Sequence, residues 1–280
     1  MKAEMSQYLT SEIDASNGIM TVTMDDPSGS TNRTTDQFKT ELSALLDSLA
    51  AKPVAGVILL SAKRDFGVGG DVDQIAELAA QGAKSCFDDS QRIKALFRRI
   101  ETLGFPVVAL IEGMAVGGSF ELALACHARF ALDDDQIRLG FPETSIGLVP
   151  GAGGLVRTVH MIGLDNAIPL VVEAKLTNPA EAAKLGLIDG LGSDRATLLQ
   201  LAAHWILSNS QVTKPWDEKR HKLPGGGLFA VPGRYLKMQG QVAAANKRGF
   251  GHQMAEVAAL GALCEIASAG FSDGEILESR

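Results

Sequence analysis

Two short, unbroken apolar runs constrain this chain more than any other feature. Val54-Ala-Gly-Val-Ile-Leu-Leu60 and Pro106-Val-Val-Ala-Leu-Ile111 carry no polar alternation, so each reads as a strand buried on both faces. Such strands require helices on either side of their sheet, and the flanking sequence supplies them. Between Thr35 and Leu49, apolar residues recur at Phe38, Leu42, Leu45, Leu46 and Leu49, the stripe of an amphipathic helix. Further helices are predicted near 73–81 and 88–102, over Gly117–Cys126, and at 153–161, 164–173, 179–185 and 195–208. Gly18–Met24 alternates apolar and polar residues, reads as a strand, and is broken by Asp25-Asp-Pro-Ser-Gly29. Arg129–Leu132 and Ile137–Leu139 read as short strands on either side of an Asp133–Gln136 turn. Strands alternating with helices predict an α/β fold with mostly parallel pairing, and no repeat of solenoid length is present. A Pro/Gly-rich connector, Lys214-Pro-Trp-Asp through Pro224-Gly-Gly-Gly227, leads into an Ala-rich, helically patterned stretch over 232–280. The expected division is an α/β core over residues 1–210, then a connector and C-terminal helical region over 211–280.

Composition narrows the function. With 46% hydrophobic and 21% charged residues among 280, the chain can bury a sizeable core in one large domain or two modest ones. Only 5% are aromatic, so Ala, Leu, Ile and Val must fill the interior, and 30 glycines allow tight turns and close backbone approaches. The net charge of −7 argues against nucleic acid or a membrane surface as partner. The basic pairs Lys63-Arg64 and Arg98-Arg99 could meet a phosphorylated ligand, although solvated pairs are the commoner case. Cys86, Cys126 and Cys264 have no C-x-x-C spacing, which fits a reducing compartment without structural zinc. Cys126 is expected to be a small buried hydrophobe rather than a nucleophile. No apolar run is long enough to span a bilayer, and Met1–Gln7 has no apolar signal region. A cytoplasmic protein is expected.

Four segments could carry chemistry. Phe66-Gly-Val-Gly-Gly-Asp71 follows a buried strand and enters a helix. It is not a dinucleotide fingerprint, because Val72 stands where the third glycine belongs. Its free backbone N–H groups suit an anionic oxygen, with a plain tight turn as an equal alternative. In Gly113-Met-Ala-Val-Gly-Gly-Ser-Phe-Glu121, N–H groups near Gly118 would sit at the positive end of a helix dipole. Glu121 lies one turn inside an otherwise apolar run, so it is either solvated on an outer face or held in a site, and the missing polar face favours the site. Glu143, in Gly140-Phe-Pro-Glu143, follows a proline in apolar surroundings, with an exposed loop glutamate as the alternative. Pro150-Gly-Ala-Gly-Gly154 opens a helix continuing Leu-Val-Arg157 and either cradles a ligand or starts a closely packed helix, the favoured reading. Two carboxylates in apolar surroundings can set an acid and a base at one centre, and two glycine loops can supply paired donors to an oxyanion. That set suits a reaction through an enolate. The zinc motif H-E-x-x-H and the nucleophile elbow G-x-S-x-G are both missing from the sequence. The five histidines are scattered, so neither a metal nor a catalytic histidine is expected.

At these residues the chain resembles the crotonase, or enoyl-CoA hydratase/isomerase, superfamily. Phe66–Asp71 resembles that family's first oxyanion loop, which usually ends Ala-Gly-Ala-Asp. Gly113–Glu121 resembles the second, with its Gly-Gly-Gly-x-Glu. Pro142-Glu143 through Gly151-Ala-Gly-Gly154 resembles the Pro-Glu…Pro-Gly-x-Gly-Gly stretch. The matching order covers roughly residues 10–200. Within the family, Leu139–Gly151 and Lys214-Pro-Trp-Asp resemble the hydratase portion of multifunctional fatty-acid oxidation α chains. Ile276-Leu-Glu-Ser-Arg280 resembles their connecting helix, so the chain reads as a truncated or separately made hydratase domain, with a free-standing enzyme whose tail looks similar as the alternative.

The resemblance implies a crotonase-like spiral of ββα units with a C-terminal helical tail. It implies hydration of trans-2-enoyl-CoA in fatty-acid β-oxidation, with Δ3,Δ2-isomerisation as a second activity. No metal or cofactor is implied, acyl-CoA being the substrate. Gly70 and Gly118 would donate N–H groups to the thioester oxygen, Glu121 would orient and deprotonate water, and Glu143 would deliver a proton to the α-carbon. Family members form homo-oligomers, trimers or hexamers, whereas the multifunctional α chains pair with a thiolase. The alternatives are another acyl-CoA reaction (isomerase, hydrolase or decarboxylase) or a non-catalytic acyl-CoA-binding subunit. Retention of both carboxylates argues against the last. Three departures stand out. Gly70 replaces the usual alanine, Ser119 brings a Cβ and a hydroxyl where a third glycine is common, and His127 replaces a frequent aspartate in what reads as a structural position. Glu121 and Glu143 are also 22 residues apart, more than the resemblance leads one to expect, and a hairpin around Asp133–Gln136 would absorb the excess.

Overall fold

The computed structural model describes residues 7–52, 54–248 and 254–280. The reading of the N-terminus therefore falls almost wholly outside the described residues, as do positions 249–253 of the helical tail. In chain order the strands are β1 (Leu9–Ile13), β2 (Ile19–Met24), β3 (Gly56–Ser61), β4 (Val107–Ile111), β5 (Ala115–Val116), β6 (Ala128–Leu132), β7 (Leu139–Gly140) and β8 (Gly190–Gly192). The helices are α1 (Asp36–Ala50), α2 (Val72–Gln81), α3 (Ala83–Glu101), α4 (Gly118–Ala125), α5 (Gly154–Ile162), α6 (Leu164–Val171), α7 (Pro179–Leu185), α8 (Arg195–Ser208), α9 (Arg234–Arg248), α10 (Met254–Ile266) and α11 (Phe271–Glu278).

The large sheet runs β1-β2-β3-β4-β6-β8. Only the β1–β2 pair is antiparallel; every later pairing is parallel, as expected for strands with both faces covered. One face is covered by α8, whose Leu198, Ala202 and Ile206 pack with Ile58, Leu60, Val108 and Phe130. The other face, with Val57, Leu59, Ala109 and Ile111, joins the main core. Alternation along β3 and β4 thus divides one apolar run between two cores. Side-chain caps start the helices where they are needed: Thr35 accepts from Phe38 N at 3.2 Å, Asp194 from Thr197 N at 2.8 Å, and Asn178 with Glu181 forms a capping box.

The site is positioned by a second layer. On leaving the C-terminal ends of β2, β3, β4 and β6, the chain runs through four short parallel segments. These are joined by the bridges Thr34–Gly70 and Gly67–Ala115 and by the β5–β7 pair, with Ala115 opposite Leu139. Each strand-and-return is one step of a spiral. This arrangement corrects the hairpin expectation: both edges of β6 are occupied, by β4 and β8, so β7 pairs with β5 in the small sheet instead.

The connector packs inward. Lys214 Nζ is buried against the carbonyls of Leu124 and Cys126, which end α4. Trp216 stacks on Phe271 of α11 with ring centroids 4.7 Å apart. Ala259, Leu260, Leu263 and Ile266 of α10 belong to the same buried core as Leu155, Val156 and Val159 of α5. The basic pair Arg98-Arg99 is consumed internally: Arg98 meets Glu101 and Asp217, and Arg99 meets Asp47. Lys63 folds back on the carbonyls of Asp26 and Gly29.

Candidate active site

Gly70 and Gly118 meet across the spiral. In the first loop, successive N–H groups are already committed: Gly67 to the Met114 carbonyl, Val68 to the Asn32 carbonyl, and Gly69 to Ser119 Oγ at 3.1 Å. The next, on Gly70, has no protein partner among the described residues. Gly118 opens α4, and the first N–H groups of a helix lack intrahelical acceptors. The two loops touch closely: a Cβ on Gly69 would lie 3.3 Å from Gly118 N. Gly117, between them, has φ +55 and ψ −139, a conformation open in practice to glycine alone. Asp71 fixes the other end of the loop by capping α2 and pairing with Arg33 at 2.7 Å. The Gly69–Gly70 loop and the start of α4 therefore lie side by side, with Thr34 Oγ1 3.7 Å from a Cβ placed on Gly70 and 3.0 Å from one placed on Gly118.

Ser119 is a staple rather than an obstruction. Its hydroxyl accepts from Gly69 N, and a Cβ on Gly67 would lie 2.2 Å from that oxygen. Glycine at 67 makes room for the serine.

The same turn brings both carboxylates together. A Cβ on Gly117 would lie 2.8 Å from Glu143 Oε1, and one on Gly118 would lie 3.7 Å from Glu121 Oε2. Glu121 is 2% exposed. Its Oε1 accepts from Ala152 N at 2.8 Å and Gly154 N at 2.6 Å, at the start of α5. Burial, reinforced by the nearby Glu278 and Glu143 carboxylates, pushes the Glu121 carboxyl well above its usual range, against the pull of those two N–H donors. Glu143 begins a 3-10 turn, Glu143–Ile146, pinned by Thr144 Oγ1 on the carbonyls of Val171 and Val172. Its Oε2 is buried without a hydrogen-bond partner among the described residues, a state costing about 1–3 kcal/mol and one to be expected of a group reserved for a ligand. Burial, with Glu278 adding to it, lifts the Glu143 carboxyl to about 7. Two neighbouring carboxyls that burial raises above their usual range are suited to exchanging protons with a substrate.

The segment Pro150–Gly154 does more than start a closely packed helix. Its N–H groups hold Glu121, and a Cβ on Gly154 would come within 2.7 Å of Glu121 Oε1 and of Phe141. Sequence spacing could not reveal that bond. It also missed a set of buried charges behind the site. Glu278 is 6% exposed and accepts from Gly153 N and Val156 N. Arg157 is 0% exposed and bonds Glu101 Oε1 at 2.7 Å. Lys94 is 2% exposed and donates to the Glu275 carbonyl and Ser279 Oγ. The one visible sign was a lone arginine among Leu155, Val156 and Val159.

His127 has a structural role. Its Nδ1 accepts from Val107 N at 3.1 Å, its Nε2 faces the Glu101 carbonyl at 3.2 Å, and burial with Lys214 nearby lowers its pKa to about 4. The Cys126 thiol is buried and pushed up to about 11. Among the described residues no cluster of three or more His, Cys, Asp or Glu could hold a metal ion, and no helix is long and apolar enough to cross a membrane.

Comparison with known proteins follows the same lines. A family model described as Enoyl-CoA hydratase/isomerase matches residues 14–215. The fatty acid oxidation complex subunit alpha of Shewanella putrefaciens is 36% identical over 200 residues, 71% of this chain and 28% of its own length. The subunit of the same name from Shewanella frigidimarina is 35% identical over equal shares. The chain thus spans 28% of the length of these curated relatives. Among solved structures, an enoyl-CoA hydratase from Bacillus anthracis is similar with a TM-score of 0.64 and 27% identity, over 72% of this chain and 78% of its own. An enoyl-CoA hydratase from Thermoplasma volcanium reaches 0.65 over 96% of both chains at 20% identity, a likeness of fold alone.

Proposed function

The chain belongs to the enoyl-CoA hydratase/isomerase, or crotonase, family, and from that premise we propose that it adds water across the double bond of a trans-2-enoyl-CoA. The observation that carries this reading is the convergence of two buried carboxylates, Glu121 and Glu143, on the Gly117–Gly118 turn where α4 begins. The thioester oxygen accepts from Gly70 N and Gly118 N. Glu121, held by Ala152 N and Gly154 N, takes a proton from a water whose oxygen bonds to the β-carbon. The alkene electron pair moves onto the thioester oxygen as an enolate, which the two N–H groups stabilise. When the enolate collapses, the α-carbon takes the proton held by Glu143. The pair carries one proton throughout and changes which member holds it, so the same two groups serve hydration and dehydration alike. Each proton transfer contributes about 10²–10⁴ in rate, and each oxyanion donor about 10²–10³.

Adding OH to the β-carbon and H to the α-carbon leaves the substrate as a whole neither oxidised nor reduced, so the chemistry requires no redox cofactor. Glu143 alone can move a proton from C2 to C4 of a Δ3-enoyl-CoA, which gives Δ3,Δ2-isomerisation as a second activity. The place of this reaction in fatty-acid oxidation is supported by the names of the Shewanella relatives, and a cytoplasmic setting by three unpaired cysteines. The test is the division of labour. Glu143→Gln is expected to abolish both activities, while Glu121→Gln lowers hydration about 10²-fold or more and spares much of the isomerisation. Equal loss of both activities in Glu121→Gln would sink the assignment.

A further inference from the structure

The first turn of α5 is held by two carboxylates in alternation. Ala152 N and Gly154 N donate to Glu121, at 2.8 and 2.6 Å. Gly153 N and Val156 N donate to Glu278, at 2.5 and 3.0 Å. These N–H groups have no partners within the helix, so the carboxylates define the shape of the turn. One of them has a role in the proposed reaction, and the other arrives from α11 at the far end of the chain. Close packing keeps it there: a Cβ on Gly274 would come 2.9 Å from Val156 Cγ2. Without Glu278, two buried donors would lose their acceptors and be left unsatisfied. The turn would then have to reorganise, carrying with it the two N–H groups that aim Glu121.

We propose that Glu278 is a positioning residue for Glu121, acting through their shared turn, so that α11 completes the active centre. The proposal rests on the reading of Glu121 as the group that activates water. Electrostatics adds a consequence. Lys94 from α3 and Arg157 from α5 face Glu278 as opposite charges, while Glu121 from α4, Glu143 from the 3-10 turn and Glu275 on α11 itself are like charges. From α10, Glu265 pairs with Arg280, at 3.8 Å. Charge on Glu278 therefore raises the basicity of both active-site carboxylates. Its removal lowers their pKa values and moves the acid limb of the rate profile to lower pH.

The experiment uses the full chain with Glu278→Gln and Glu278→Asp, each checked for folding by thermal melting. An infrared carboxyl titration, taken as the difference between a protein and its own Glu121→Gln version, reads the Glu121 midpoint without any turnover. Crotonyl-CoA hydration against pH gives the second readout. In Glu278→Gln the Glu121 midpoint and the acid limb both fall, and kcat drops about tenfold or more at nearly constant KM. Glu278→Asp keeps the charge one methylene short, so its limb stays near that of the wild type while kcat recovers only in part. A folded Glu278→Gln protein with unmoved midpoint and limb overturns the proposal. If that variant does not fold, Glu278→Asp decides: full wild-type kcat overturns the proposal, and reduced kcat at constant KM supports it. A wild-type protein that hydrates nothing, with the midpoint shift intact, removes the hydratase reading and leaves the Glu278–Glu121 coupling standing.

Discussion

At the scale of single residues, the site is a balance between burial and hydrogen bonding. Glu121 and Glu143 are both pushed up by burial, opposed at Glu121 by the N–H groups of Ala152 and Gly154 and at Glu143 by its own backbone N–H. Glu143 keeps an unpartnered buried oxygen, and this has a measurable effect on stability. Its folded pKa, about 7, lies above the ordinary carboxylate value. The folded state therefore holds this proton more tightly than the unfolded chain does. The proton's stabilising effect is complete at pH values below the unfolded pKa and is lost as pH rises through about 7. Each tenfold change in proton affinity is worth about 1.4 kcal/mol, so the loss is about 3 kcal/mol. Glu143→Gln should accordingly be more stable than wild type at pH 8 and nearly equal to it at pH 4.5, as read from urea midpoints at the two pH values. A variant equally stable, or less stable, at pH 8 would mean that this carboxylate is not held at a cost.

At the scale of elements, the two glycine loops and the start of α5 make different demands on their glycines. A Cβ on Gly70 would press on the flexible tip of Ile75, at 2.9 Å, and meet Thr34 Oγ1 at an ordinary 3.7 Å, so Gly70→Ala is expected to keep activity within about threefold. A Cβ on Gly154 would meet Glu121 itself and Phe141, so Gly154→Ala should displace the carboxylate and cut hydration about 10²-fold. Comparing the two alanine variants by steady-state kinetics checks the assignment, and comparable losses would contradict it. Elements whose signal is local were legible in the sequence. The continuous apolar runs became β3 and β4, the stripe from Phe38 to Leu49 became α1, and the predicted stretches at 179–185 and 195–208 are α7 and α8. Elements defined by their partners were not legible. β1, β5 and β8 are short or mostly exposed and exist because a neighbouring strand pairs with them. The hairpin around Asp133–Gln136 failed for the same reason, since a turn signal does not say which edges are already taken. Gly70, Gly118, Glu121 and Glu143 could be named from motif order, and the structure gathers them at one turn. Glu278 could not be named, because its meaning depends on where the tail returns.

At the scale of the whole molecule, a buried charge network ties the tail to the body. Arg157, fully buried on α5, bonds Glu101 of α3, lies 3.5 Å from Glu275 of α11 and sits over the Phe271 ring at 5.6 Å. Breaking a buried pair leaves an uncompensated charge, typically at about 3–5 kcal/mol. Arg157→Met should lower the unfolding free energy by that amount, read as a lower urea midpoint at an unchanged slope, and a loss below about 1 kcal/mol would show the network to be dispensable. The fold is that of the family, and the same spiral that stacks four strand-returns in parallel sets Gly70 beside Gly118 and Glu121 beside Glu143.

The central claim is that these four residues hydrate an enoyl thioester, and loss of the conjugated enoyl-thioester absorbance tests it most directly. Purified protein is added to crotonyl-CoA and, separately, to a trans-2-decenoyl-CoA, with folded Glu143→Gln as control. The account predicts rapid loss with the wild type and a decrease of about 10²-fold or more with the variant on the same substrates. Unchanged absorbance with both substrates, or equal rates in the wild type and Glu143→Gln, would contradict it.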